Sequence, residues 1–187
     1  MKTRFLTTVC ALLTLAVLLG GCSAGAEKAP KKEVGIQLYS VRSLIGAFGN
    51  NQEDYKPVLK QLADMGYTSV EAASYKDGKI YGQTPEQFRK DVEEAGMKVL
   101  STHCTINLSD EELAAGDFSK ALAWWDECIA AHKAAGAEYI VVPSMRKVST
   151  LEELATYCRY FNEIGARCKA AGLKFGYHNH SREFEKI

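Results

Sequence analysis

Four times along this chain a helix-like stretch closes on a glycine, one apolar residue follows, and a strand-like run begins. The phrases are Ala63-Asp64-Met65-Gly66-Tyr67, Glu94-Ala95-Gly96-Met97, Ala134-Ala135-Gly136-Ala137 and Ala170-Ala171-Gly172-Leu173. Glycine at that place takes the left-handed backbone that stops a helix, and the apolar residue after it closes the turn. The glycines are spaced 30, 40 and 36 residues apart, about the length of one strand–helix unit. Such a repeat commits the chain to an α/β fold with a parallel sheet, because each helix returns the chain to the same end of the sheet.

The helix starts agree with that reading. Thr84-Pro85-Glu86-Gln87 offers a cap, a first-turn proline and a Gln to close a capping box, and Thr150 with Glu153 repeats the arrangement. The spacing predicts strands near 34–40, 67–73, 97–104, 137–144 and 173–180. It predicts long helices near 53–65, 85–95, 118–135 and 150–171.

Before Val34 the composition changes. Lys2 and Arg4 precede an uncharged apolar run from Phe5 to Leu19, too short to span a bilayer and placed as in a signal peptide. Leu19-Gly20-Gly21-Cys22 resembles the bacterial lipobox, which implies acylation of Cys22 after removal of residues 1–21. Residues 22–33 are small and polar and read as a flexible tether. The expectation is a lipid-anchored protein of the bacterial cell envelope, on the periplasmic side or at the outer membrane.

Charge excludes one class of partner. The chain has 23 basic and 23 acidic residues, and loss of Lys2 and Arg4 with the signal leaves a net of −2. That offers no electrostatic footprint for nucleic acid. Of the cysteines outside the signal and lipid site, Cys104, Cys128, Cys158 and Cys168 show no Cys-x-x-Cys spacing and read mostly as small buried hydrophobes.

A closed barrel and an open doubly wound sheet both fit alternating strands and helices. The first strand lacks a glycine-rich phosphate loop after it, so a dinucleotide fold loses its signature. Glu71, His103, His178 and His180 fall at the C-terminal ends of different predicted strands, where a (βα)8 barrel assembles its active site. The barrel is favoured, here truncated to about five strands and four helices where a complete one has eight of each.

Strand alternation puts His178 and His180 on one face above Gly176, with Glu183 and Glu185 close behind, a pattern suited to divalent-metal binding or proton transfer. Gln37 and Tyr39 share a face of the first strand; Glu71 lies opposite Val70 and Ala72, and His103 shares parity with Val99 and Ser101. The competing reading of each is a hydrogen-bonded rim residue. His132, beside Lys133 in mid-helix, is expected to face solvent. Of the adjacent Trp124 and Trp125, one is expected in the core and the other at an edge, less plausibly as a sugar platform.

Gly35-Ile36-Gln37-Leu38-Tyr39-Ser40-Val41-Arg42, Glu71, Ser101-Thr102-His103, Tyr139-Ile140-Val141-Val142-Pro143 and Tyr177-His178-Asn179-His180 together resemble the xylose isomerase-like TIM barrel family. That family includes sugar phosphate isomerases and epimerases, inosose dehydratases, keto-glycoside-cleaving enzymes and endonuclease IV-like repair enzymes. The resemblance runs over residues 34–187. It implies a divalent metal, Mn2+, Mg2+, Co2+ or Zn2+, at the barrel mouth, with Glu183 as the first ligand and Glu185 as its alternative. It implies His180 as a base, His178 as a ligand or orienting group, and Glu71 and His103 as substrate contacts; Gln37 and Tyr39 are candidate substrate contacts from their shared face on the first strand. Further ligands would come from strands beyond residue 187, so the metal site is expected to be incomplete in this chain. The expected activity is a metal-dependent sugar or keto-sugar isomerase, epimerase or related lyase working through an enediolate. A non-catalytic carbohydrate-binding protein or inactive barrel fragment is the alternative, and a DNA repair enzyme ranks below both.

Overall fold

The structure, a computed structural model, describes residues 32–51 and 54–186. The expected signal peptide (1–21), Cys22 and the expected tether as far as residue 31 lie outside the described residues. The described part begins with β1 (Gly35–Gln37), a 3-10 turn (Leu38–Val41), α1 (Arg42–Ile45), β2 (Gly46–Ala47) and β3 (Asn50–Asn51). There follow α2 (Lys56–Asp64), β4 (Ser69–Ala72), β5 (Tyr75–Lys76), β6 (Lys79–Ile80) and α3 (Pro85–Glu94). Then come β7 (Lys98–His103), α4 (Asp110–Ala115), α5 (Ser119–Ala134), β8 (Tyr139–Val142), α6 (Leu151–Ala171), β9 (Lys174–Tyr177) and a 3-10 turn (Arg182–Phe184).

The main sheet has the order β1-β4-β7-β8-β9, and every pairing is parallel. Each new strand is added on the same side of its predecessor. Right-handed crossovers that always advance in one direction place all their helices on one face of the sheet. A doubly wound sheet reverses direction and acquires helices on both faces. The observed order is that of an arc of a TIM-type barrel.

The glycine phrases fold alike. In each, the glycine N–H donates to the carbonyl three residues back and the next N–H to the carbonyl five back. The pairs are Gly66 to Ala63 with Tyr67 to Leu62, Gly96 to Glu93 with Met97 to Val92, Gly136 to Lys133 with Ala137 to His132, and Gly172 to Lys169 with Leu173 to Cys168, at 2.8–3.2 Å. All four glycines have φ between 80° and 99°, where a side chain would be strained. Met97 and Leu173 then enter the core.

The helix-covered face is apolar. Val70, Val99 and Leu38 join Leu59, Leu62, Phe88 and Val92, while Ile140 and Val142 join Trp125, Ile129, Tyr160 and Ile164. Trp125 is fully buried, its indole N–H donating to Tyr160 Oη at 2.7 Å, whereas Trp124 is half-buried. Among the described residues, no helix is long and apolar enough to cross a membrane.

Several expectations need correction. Among the described residues, two short helices, α1 and α4, join the four long ones; Ser109 and Glu112 form a full capping box at α4. Gln87 does not close a box at Thr84, because its side chain donates to buried Asp91 instead. The strands are shorter than predicted. The first turns into a 3-10 helix at Leu38, so Tyr39 does not continue the face that carries Gln37. His132 is 1% exposed, because it continues the stripe Ala121, Trp125 and Cys128 along the buried side of α5.

Candidate functional site

The face turned away from the helices is polar at its C-terminal edge. β1 and β4 pair Gln37 with Glu71, while β4 and β7 pair Val70 with Val99 and then Glu71 with Ser101. One extra residue is thus accommodated in β7, which breaks the predicted parity. Val99 stays with the helix-facing core, while Ser101 and His103 are re-aimed at Glu71.

Glu71 is the hub. Its Oε1 accepts from Gln37 Nε2 at 2.7 Å and lies 2.9 Å from His103 Nε2; its Oε2 accepts from Ser101 Oγ at 2.6 Å. Gln37 Nε2 is also 3.3 Å from His103 Nε2. Burial alone would push this carboxyl up, but hydrogen bonds from His103, Ser101 and Gln37 outweigh it and hold the group at about 2. Glu71 is therefore a permanent anion at neutral pH, suited to accepting hydrogen bonds and not to taking a proton.

The array continues into the last strand. His178 N–H donates to Val142 O at 2.9 Å, extending the ladder one residue past β9. The His178 ring meets His103 edge-on, 5.2 Å between centroids, and lies 4.8 Å from the His180 ring. Gln37, Glu71, Ser101, His103, His178 and His180 thus form one chain of side chains across β1, β4, β7 and the end of β9. His180 is off the strand and exposed.

Beside His103 opens a cavity of about 190 Å³ lined by Phe48, Tyr75, Cys104, Thr105, Trp124 and Pro143. Tyr75 and Trp124 meet edge-on at 5.6 Å. Tyr75 and Phe48 sit in short elements after β4 and β1, which no periodicity in the sequence announces. Tyr39 stands apart, its ring under the Arg42 guanidinium at 4.3 Å and beside Phe48 at 5.4 Å.

The two glutamates after His180 go elsewhere. Glu183 accepts from Tyr177 Oη and, through Oε2, from the His180 backbone N–H at 2.8 Å. These contacts hold its carboxyl below the usual range, the Tyr177 hydroxyl contributing most. Glu185 faces Lys147 Nζ at 3.8 Å. Both line a second cavity of about 130 Å³ with Met145, Arg146, Val148 and Leu154.

The donor sets decide how far a metal can be placed. Among the described residues, the three metal-ligating side chains whose donor atoms lie within 4.8 Å of one another are Cys104, Cys128 and His132, buried under the helices. Soft sulfur donors in an apolar core do not suit Mg2+ or Mn2+. At the strand ends, His178, His180 and Glu183 do not converge in this way. The described residues therefore do not by themselves make the divalent site that the resemblance implies.

Residues 59–186 match the family described as Xylose isomerase-like TIM barrel. A sugar phosphate isomerase/epimerase from Parabacteroides distasonis superposes with a TM-score of 0.70 at 31% identity, covering 83% of this chain and 57% of its own. A second protein of that description from the same organism gives 0.68 at 26% identity, covering 89% and 57%. A xylose isomerase-like TIM barrel protein from Mycobacterium smegmatis, solved in complex with magnesium, shares the fold at 13% identity with a TM-score of 0.54, covering 78% and 54%. This chain thus spans little more than half the length of these proteins. No curated relative matches the sequence. The match over most of the folded region, on the strand order and site placement described above, leads to one conclusion: the chain belongs to the xylose isomerase-like TIM barrel family.

Proposed function

We propose that this protein is a sugar or keto-sugar isomerase or epimerase, or a lyase of related chemistry, that moves the proton next to a carbonyl. The observation that supports this most is the array Gln37–Glu71–Ser101–His103–His178–His180 at the C-terminal strand ends. In this reading His180 or His178 takes the α-proton. The ionised Glu71 and its donors Gln37 and His103 orient substrate hydroxyls. Loss of that proton yields an enediolate. Return of the proton to the neighbouring carbon is isomerisation, return to the other face of the same carbon is epimerisation, and departure of a β-group is elimination.

A divalent ion, Mn2+, Mg2+, Co2+ or Zn2+, when bound would polarise the carbonyl and stabilise the enediolate oxygen. Because the described residues do not gather its ligands, Glu183 and Glu185 are no more than contributors to such a site. We also propose that Cys22 is lipidated and that the protein works on the cell envelope. Such a location favours free or keto-sugars over phosphorylated ones.

A second reading is non-catalytic carbohydrate binding, favoured by the cavity between Phe48, Tyr75 and Trp124, whose aromatic faces suit the apolar side of a sugar ring. One experiment separates the two. The protein is incubated with ketopentoses and ketohexoses in D2O, with Mn2+ or Mg2+ supplied, and deuterium next to the carbonyl is read by NMR. Catalysis predicts exchange with at least one sugar, reduced about 100-fold or more in His180→Ala or His178→Ala. Calorimetric binding without exchange sinks the catalytic reading and supports the second.

A further inference from the structure

Behind the cavity floor two cysteines from different elements meet. Cys104 follows His103 at the end of β7, and Cys128 lies on α5; their sulfurs are 3.1 Å apart. Both are free thiols and both are buried. A disulfide has its sulfurs about 2.05 Å apart, so closure asks for a shift of about 1 Å.

The two thiols differ in access. Cys104 lines the cavity beside His103 and Tyr75, whereas Cys128 has no exposure at all. Burial, with Cys104 alongside, pushes the Cys128 thiol up, so it stays protonated and inert toward outside reagents.

His132 completes the group but does not make it a metal centre. Its Nδ1 is 2.7 Å from Cys128 O and 3.4 Å from Cys128 Sγ. Burial drives this imidazole down to about 4, so it is neutral, with one nitrogen to donate. With Nδ1 donating to the carbonyl, the atom nearest the sulfurs is already committed. Even with Nε2, which has no partner, counted beside the two sulfurs, the group offers three donors where a structural zinc site takes four.

We infer that Cys104 and Cys128 form a redox pair that closes to a disulfide by exchange with a small disulfide entering through the cavity. The Cys104 thiolate attacks the external disulfide RSSR, forming a mixed disulfide and releasing one RS⁻, which takes up the proton Cys104 lost. Cys128 sulfur then attacks Cys104 Sγ and expels the second RS⁻, which receives the Cys128 proton. Two thiols are oxidised to one disulfide and RSSR is reduced to two RSH. The bond ties the strand end that carries His103 to helix α5.

The test uses the reduced full chain equilibrated with mixtures of oxidised and reduced glutathione, acid-quenched, alkylated with N-ethylmaleimide and mapped by mass spectrometry. The expected result is a peptide linked through Cys104 and Cys128, reversible with dithiothreitol. Exposed Cys158 supplies the comparison, as a thiol open to the same reagents. In Cys128→Ala, a small apolar replacement, the glutathione adduct on Cys104 should accumulate at least tenfold over wild type because no resolving thiol follows. Cys168→Ala should leave the linkage intact. No Cys104–Cys128 linkage at any ratio overturns the inference. So does a linkage from Cys104 to Cys168, or stoichiometric zinc shielding both thiols.

Discussion

Replacing Glu71 by Gln keeps the shape of the hub and removes its charge. The carboxylate is held at about 2 against an ordinary 4.5. At about 1.4 kcal/mol for each pH unit of displacement, that gap corresponds to a ceiling of roughly 3 kcal/mol of native-state stability. The side chain is 23% exposed, and screening by water at that edge brings the expectation to about 2 kcal/mol. The sign follows from the direction of the displacement. A carboxyl with a lowered folded-state pKa stabilises fully above about 4.5, and its contribution is lost as pH falls toward 2. Urea unfolding of wild type and Glu71→Gln at pH 7, 5, 4 and 3 measures this directly. The variant should be about 2 kcal/mol less stable at pH 7, and the gap should narrow between pH 4.5 and 3. An unchanged gap across the series would refute the ionised-hub argument, and so would no gap at pH 7. The same ionisation means that no activity transition between pH 5 and 9 should belong to Glu71.

Buried His132 is neutral, with its folded-state pKa lowered from 6.5 to about 4, so the unfolded chain binds the proton first and wild type loses stability as pH falls from 6.5 toward 4. In a thermal-melt series His132→Leu should lack that loss, most of which falls above the pH range where Glu71 acts. Tyr160→Phe removes both the acceptor for Trp125 and the donor to Ile106 O at 3.0 Å; a cost of about 1–3 kcal/mol in urea unfolding is expected, and a change below a few tenths would contradict it. Cys22→Ser should move the protein from the membrane to the soluble fraction on cell fractionation, and unchanged membrane association would rule out acylation there as the anchor.

The architecture was legible because it is written in local chemistry. Gly66, Gly96, Gly136 and Gly172 each mark a turn that few other residues can make, and the four long helices end where those turns require. The candidate site was legible by position but not by geometry. Glu71 and His103 announced themselves as polar residues at strand ends, yet the one-residue shift in β7 that points His103 at Glu71 leaves no trace in the alternation of Val99, Ser101 and His103. Tyr39 does not share a strand face with Gln37 because the first strand gives way to a 3-10 turn at Leu38, which the period of the sequence does not mark. His132 was misread for the opposite reason. The spacing Ala121, Trp125, Cys128, His132 describes a buried stripe, but an imidazole next to a lysine suggests solvent. Glu183 lay three residues from His180 as expected, and the chain then folds its carboxylate back onto Tyr177 and the His180 backbone.

The two ends of the main sheet differ in how freely they can change. At the end where strands begin, the four helix-to-strand turns repeat one hydrogen-bonding scheme, with the same pair of backbone donors each time. At the opposite end every connection is different: a 3-10 turn after β1, a short hairpin after β4, a capped extra helix after β7 and an extended segment after β8. Exchange of a loop at that end leaves every glycine turn untouched. Such a scaffold can be re-tailored to a new ligand by grafting connections, with the cost in folding confined to the graft.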